Sequence, residues 1–138
     1  MTRHVGIIIK RGEKVLFIKR SKFKKKLPNI WAFPTGTVET GEKVTETAIR
    51  EAKEELGVDI KVLRELSPIS LYEFDDELDF VVCEIIGGEP KIREPREIDE
   101  IQWNSLAEFY DAYREDQIGH GLIYLKNHPE ILNTIKRS

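Results

Sequence analysis

The chain is poor in cysteine, methionine, asparagine and glutamine, and it has no long apolar run. Its single cysteine, Cys83, excludes an intrachain disulfide. Cys83 follows Phe80, Val81 and Val82, a setting in which a thiol reads as a small core residue. No histidine lies near it in sequence, which argues against a catalytic thiol. The longest apolar run, Val5 to Ile9, falls short of a signal-peptide core or a membrane span. A cytoplasmic protein with no membrane contact is therefore the expectation. Excess positive charge is missing too: the formal net charge is −3 and the sequence pI about 5.7. Such a chain is a poor fit to a duplex-DNA binder, so no nucleic-acid polymer is expected as a partner. A small phosphate-bearing ligand stays open, because a local cation cluster or a metal can handle phosphates. No repeat, low-complexity tract or linker divides the 138 residues. A single domain over 1–138 is expected, long enough to bury a core without disulfides. Abundant Lys and Glu against scarce Asn, Gln, Cys and Met lean towards a heat-tolerant source.

Residues 4–10 and 14–19 are rich in Ile, Val and Phe and flank a turn at Arg11-Gly12-Glu13, so two strands are predicted. A basic stretch from Arg20 to Lys26 follows, closed by Pro28. Residues 30–34 form a short apolar run ending at Pro34, and 35–43 a loop holding Gly36 and Gly41. Val44, Ala48, Ala52 and Leu56 then recur every four residues. That spacing predicts a helix over 44–56 with one apolar stripe, stopped by Gly57. Strands are predicted at 58–66, 69–74, 79–87 and 98–103, with Asp75-Asp76 and Gly87-Gly88 as turn signals. Ser105 should cap a helix to about Tyr113, with Glu108 completing a capping box. A last helical region spans about 118–135, interrupted near Pro129. Strands and helices mix without strict alternation, which points to a layered α/β (α+β) domain.

The helix over 44–56 carries Arg50, Glu51, Glu54 and Glu55. At about 100° per residue, Glu51 and Glu55 lie roughly 40° apart and Glu54 about 60° to the other side of Glu51. Three carboxylates thus share one face and could offer oxygen ligands to a hard cation. Arg50 stands one turn before Glu54 and can pair with it. The same face also reads as a solvated, charged surface, since like charges one turn apart cost only a few tenths of a kcal/mol. The preceding loop tips the balance, because a glycine-bracketed loop feeding a helix N-terminus suits anion binding.

The segment Gly36 to Val58 resembles the Nudix box, G-x5-E-x7-R-E-U-x-E-E-x-G-U with U apolar. Gly36, Glu42, Arg50, Glu51, Ala52, Glu54, Glu55, Gly57 and Val58 fill every specified position. Composition alone would give such a match with a chance on the order of 10⁻⁶ to 10⁻⁵. Trp31-Ala32-Phe33-Pro34 before the box also resembles the family, as does Glu97 six residues ahead of Trp103. One departure stands out: relatives commonly have Pro-Gly-Gly where this chain has Pro34-Thr35-Gly36. The residue at Thr35 often lends a carbonyl to the metal, and threonine resists positive φ.

The resemblance implies an α/β/α sandwich with a mixed sheet and the box helix packed on it. It also implies hydrolysis of a nucleoside diphosphate linked to another group, with Mg²⁺ (or Mn²⁺) as cofactor. Glu51, Glu54, Glu55 and the Thr35 carbonyl would be metal ligands, and Arg50 would orient a ligand glutamate. Glu42 and Gly36 would stand behind them. Glu54 and Glu97 are the two candidates for the base. Arg20 and Lys26, from the basic run that also holds Lys22, Lys24 and Lys25, are candidate phosphate contacts, though each lysine also reads as a solvated surface residue. Tyr72 is a candidate substrate contact, though it, Phe74 and Phe80 read first as core aromatics. The short chain resembles the branch that cleaves nucleoside triphosphates, including oxidised ones, with dinucleoside polyphosphates or ADP-ribose as alternatives. The partner would be a small nucleotide, and a homodimer follows by analogy. His4, His120 and His128 show no ligand spacing and read as structural. A non-catalytic sensor usually loses a box glutamate, and this chain keeps them all. An isoprenoid-diphosphate isomerase would need an active-site cysteine and extra histidines that Cys83 and its neighbours do not supply.

Overall fold

The computed structural model describes residues 2–66, 68–71 and 76–138. Strands β1 (Thr2–Arg11), β2 (Lys14–Arg20), β3 (Trp31–Ala32) and β4 (Thr35–Thr37) precede helix α1 (Val44–Leu56). Then come β5 (Asp59–Glu65), β6 (Ile69–Leu71), β7 (Asp76–Gly87) and β8 (Ile98–Asn104). Helices α2 (Leu106–Ala112), α3 (His120–Lys126) and α4 (Pro129–Arg137) follow, with a 3-10 turn at Glu115–Gln117.

The centre of the sheet is a parallel pair, β1 against β7, in register from Thr2↔Asp76 to Lys10↔Glu84. Antiparallel neighbours complete a mixed sheet: β5 and β6 on β7, and β3 and β8 on β2. β1 and β2 pair only beside their turn, at Lys10↔Val15 and Arg11↔Lys14. Past that point they part, and β1 takes β4 as its partner from His4↔Thr37 to Gly6↔Thr35.

Period-two alternation sorts the buried side chains to opposite faces. Val5, Ile7 and Ile9 of β1 and Val81 and Cys83 of β7 join the stripe Val44, Ala48, Ala52 and Leu56 of α1. Ile8 of β1 and Leu78, Phe80 and Val82 of β7 join Leu106, Phe109, Leu122, Leu125 and Ile135 from the C-terminal helices. The result is a mixed sheet sandwiched between helices, as expected. Cys83 lies in the first of these cores, and burial pushes its thiol up to about 12.

Three local expectations need correction. The loop predicted over 35–43 contains β4, three residues whose small side chains carry no strand signal. Asp76, read as a turn residue, begins β7, because it pairs with Thr2 on one side and Leu71 on the other. Ser105 does cap α2 by accepting from the Glu108 amide at 3.1 Å. Its own amide is satisfied by Asn104 Oδ1 at 2.9 Å, the place a capping box gives to the Glu108 side chain. Among the described residues no helix is long and apolar enough to cross a membrane.

Candidate active site

Helix α1 takes its position from its apolar stripe, and the stripe decides which residues face away from the sheet. Gly57 ends it in the left-handed conformation (φ 71°), a geometry that favours glycine. On the outward flank Arg50 joins the box residues together. Its Nε donates to Glu42 Oε2 at 2.8 Å and its Nη2 to Glu42 Oε1 at 3.0 Å, a bidentate pair. Its Nη1 donates to Glu51 Oε1 at 2.8 Å and to Glu54 Oε2 at 3.3 Å. Glu42 also accepts from the Thr47 hydroxyl at 2.6 Å and from the Glu39 amide at 3.2 Å. These hydrogen bonds, led by Arg50, hold the Glu42 carboxyl down at about 2.

β4 brings the loop against the helix. A Cβ on Gly36 would stand 2.2 Å from Glu51 Cγ, so the Glu51 side chain fills the space that any other residue would need. Gly36 has no positive φ, and neither has Thr35. The backbone that threonine was expected to resist is not adopted, because Thr35 sits in ordinary strand pairing opposite Gly6.

Thr35, Gly36, Glu51, Glu54 and Glu55 line a cavity of about 560 Å³. Its far wall comes from two segments 70 to 77 positions apart in sequence, brought together by the β2–β8 pairing: Arg20 and Lys24 from one, Glu94 and Glu97 from the other. Glu97 is fixed from both ends, its carbonyl accepting from the Ser21 amide at 2.9 Å and its carboxylate paired with Lys24. Glu94 is a wall residue the sequence reading missed. The signal was available as Glu94-Pro95 three residues before Glu97, and the structure closes that segment as a turn through Glu97 N to Glu94 O at 2.9 Å.

Crowded acids leave a proton behind. Burial raises the Glu55 carboxyl to about 9, reinforced by the charges of Glu51, Glu94 and Glu97. Burial also raises Glu51, while the hydrogen bond from Arg50 pulls the other way. Carboxyls crowded into a cavity of excess negative charge suit a divalent cation, whose charge would offset theirs. The donor chemistry, all oxygen, fits a hard cation. The side chains do not stand ready-made: among the described residues no three acids or histidines converge to hold an ion. Arg50 draws Glu54 aside, and that carboxylate would have to turn from it to join Glu51 and Glu55.

The other expected contacts divide. Arg20 lines the cavity, but its guanidinium also donates to the Lys26 carbonyl at 2.9 Å and the Leu27 carbonyl at 3.1 Å. Burial lowers its pKa, against the raising pull of Glu97 and Glu55. Lys26 lines an adjoining cleft rather than the carboxylate cavity. That cleft, about 180 Å³, is walled by Ala32, Phe33, Leu78, Phe80 and Leu122. Phe80, read as core or contact, is buried in the core and also lines the cleft. His4, read as structural, lines both spaces and lies 3.3 Å from Asp76. Tyr72 and Phe74 lie outside the described residues.

The NUDIX domain model matches residues 1–124. The chain belongs to the NUDIX family. Among its NUDIX relatives, Nudix hydrolase 5 of Arabidopsis thaliana is 28% identical over 86% of this chain and 40% of its own length. The NAD-capped RNA hydrolase NudC of Pseudomonas aeruginosa is 31% identical over 72% of this chain and 34% of its own. The chain thus spans only a third to two fifths of these relatives. The crystal structure of a MutT NUDIX hydrolase from Burkholderia pseudomallei superposes with a TM-score of 0.66 at 25% identity, over 89% of this chain and 93% of that one. The NUDIX box of this chain is the run from Gly36 to Val58, in which Arg50 joins Glu42, Glu51 and Glu54.

Proposed function

We propose that this NUDIX chain is a divalent-metal-dependent hydrolase that cleaves the diphosphate linkage of a nucleotide-bearing substrate. The observation that carries the reading is the gathering of Glu51, Glu54, Glu55, Glu94 and Glu97 in one cavity with Arg20. Mg²⁺, or Mn²⁺, held by Glu51, Glu54, Glu55 and the Thr35 carbonyl would neutralise the diphosphate and acidify a bound water. The chain's own residues do the rest. Arg20 grips a phosphate oxygen and Arg50 keeps Glu51 in place, with Glu42 and Gly36 fixing both from behind. The water oxygen bonds to one phosphorus, the bridging P–O bond breaks, and a carboxylate takes the water proton. Glu54 suits that role better than Glu97: it is more exposed and held by one 3.3 Å contact, whereas Lys24 engages Glu97.

The adjoining apolar cleft has the walls for a flat base. Nucleoside triphosphates, oxidised ones included, are our preferred class, with dinucleoside polyphosphates and ADP-ribose next. The test is phosphate or pyrophosphate release with Mg²⁺ across those classes, beside Glu54→Gln. Turnover of one class, reduced about 10²- to 10⁴-fold in the variant, is the expected result. Tight binding of one class with no turnover of any would instead favour a nucleotide sensor.

A further inference from the structure

Lys24 and Glu97 meet where one buried residue ties two distant segments together. Ser21 is fully buried, and its amide donates to the Glu97 carbonyl at 2.9 Å. Its own carbonyl accepts from the Lys24 amide at 3.1 Å, and its hydroxyl from the Phe23 amide at 3.0 Å. The Lys22 amide adds a 3.4 Å contact to Asp99 Oδ2. On the far side the Glu97 amide donates to the Glu94 carbonyl at 2.9 Å. Both backbones are therefore anchored without help from the Lys24 and Glu97 side chains. The ion pair between those two side chains is a separate contact laid over that frame.

The pair stands where a substrate phosphate would pass. Both residues line the carboxylate cavity and the groove of about 530 Å³ beside it. Among the described residues that line the cavity, Arg20 and Lys24 are the only arginine or lysine, set against six glutamates. Arg20 already donates to the Lys26 and Leu27 carbonyls. Lys24 directs its charge at Glu97, with side-chain exposures of 26% and 41%. An ion pair that open to water is weakly held. A phosphate oxygen carries more charge than a carboxylate and forms a stronger charge-assisted hydrogen bond with an ammonium. The balance favours phosphate as soon as one is within reach.

We propose that Glu97 occupies the place of a substrate phosphate in the empty site, and that Lys24 exchanges it for the diphosphate when substrate enters. The inference deepens the hydrolase reading, which supplies the diphosphate, and makes Lys24 a positioning residue of that site. The ammonium swings on its four-carbon stem while the Lys24 amide stays on Ser21. The Glu97 carboxylate is released into the cavity only when substrate is present. Glu97 thus competes with every anion that approaches Lys24 and sets how tightly a phosphate is held.

The test is calorimetric titration of the Mg²⁺-loaded chain with methylenediphosphonate, whose P–C–P bridge resists hydrolysis. Four chains are compared: wild type, Lys24→Met, Glu97→Gln and the double variant. Lys24→Met should weaken binding about tenfold. Glu97→Gln should tighten it about two- to fivefold, because Lys24 is then free beforehand. Made in the Lys24→Met background, Glu97→Gln should have almost no effect, since the two act through one contact. Lys24→Arg should recover most of the affinity, as a charge would and a packing role would not. Additive effects, an unchanged affinity in Lys24→Met, or weaker binding in Glu97→Gln would overturn the exchange. So would the absence of binding by all four chains. The expected pattern without turnover of any nucleotide would keep the exchange and remove the hydrolase reading. Turnover with additive effects would do the reverse.

Discussion

Gly36 shows how one missing side chain can organise a site. Its α-carbon faces Glu51 so closely that a Cβ would sit 2.2 Å from Glu51 Cγ. Gly36→Ala must therefore push β4 or Glu51 aside, and Glu51 is tied to Arg50, hence to Glu42 and Glu54. The expected cost is about 1–3 kcal/mol in stability. The expected loss of Mg²⁺-dependent turnover is larger than that cost explains, because the displaced group is a proposed ligand. Thermal melting beside steady-state kinetics separates the two; melting shifted with kcat unchanged would show that Glu51 relaxes without consequence. Residue-level chemistry was legible in the sequence where the spacing was local, as with Arg50, Glu51, Glu54 and Glu55. It was not legible for Glu94 and Lys24, which reach the cavity only because β2 pairs with β8.

At the scale of elements, α1 was readable to the residue because a four-residue apolar period and Gly57 mark it without help from the rest of the chain. β4 was not, since its strand character comes from pairing with β1. The C-terminal helix depends on a contact of the same hidden kind. Lys10, at the far end of β1, donates from Nζ to the carbonyls of Ile135, Lys136 and Ser138 at 2.8, 3.0 and 2.9 Å. Ile135 O also accepts from the Ser138 amide at 3.2 Å, and a cation at this end of the helix complements its dipole. Burial lowers the Lys10 pKa, so the ammonium's role is stabilising only while these acceptors hold its charge. Lys10→Met should loosen α4 by about 1–2 kcal/mol. Amide hydrogen exchange should then speed up across residues 129–137 and stay unchanged in α1. Uniform acceleration through both helices would mean that Lys10 supports the whole fold instead.

For the molecule as a whole, the carboxylate cavity sets a dependence on pH. Glu55 has its folded pKa raised from 4.5 to about 9. A raised carboxyl contributes stability that is complete below its unfolded pKa and is lost as pH rises through the folded value. Glu42, lowered to about 2, works in the opposite sense and only in acid, so it adds no slope above pH 5. The metal-free chain should therefore melt lower as pH climbs from 5 to 9, by on the order of 5 °C. Millimolar Mg²⁺ should flatten that slope by taking the place of the proton. A metal-free melting profile that stays level from pH 5 to 9 would argue that Glu55 is not held protonated.

The parallel pairing of β1 with β7 has a consequence for how the chain is assembled. Thr2 and Asp76 are neighbours in space and 74 positions apart in sequence. Joining them closes a long loop whose entropy must be met before any contact across it contributes, which makes this a late and slow event in folding. Helix α1 rests partly on Val81 and Cys83 of β7, so its floor is incomplete until that strand arrives. During synthesis the carboxylates of the box leave the ribosome well ahead of β7. They are made early and placed late, and until then they belong to a helix with no settled surface beneath it.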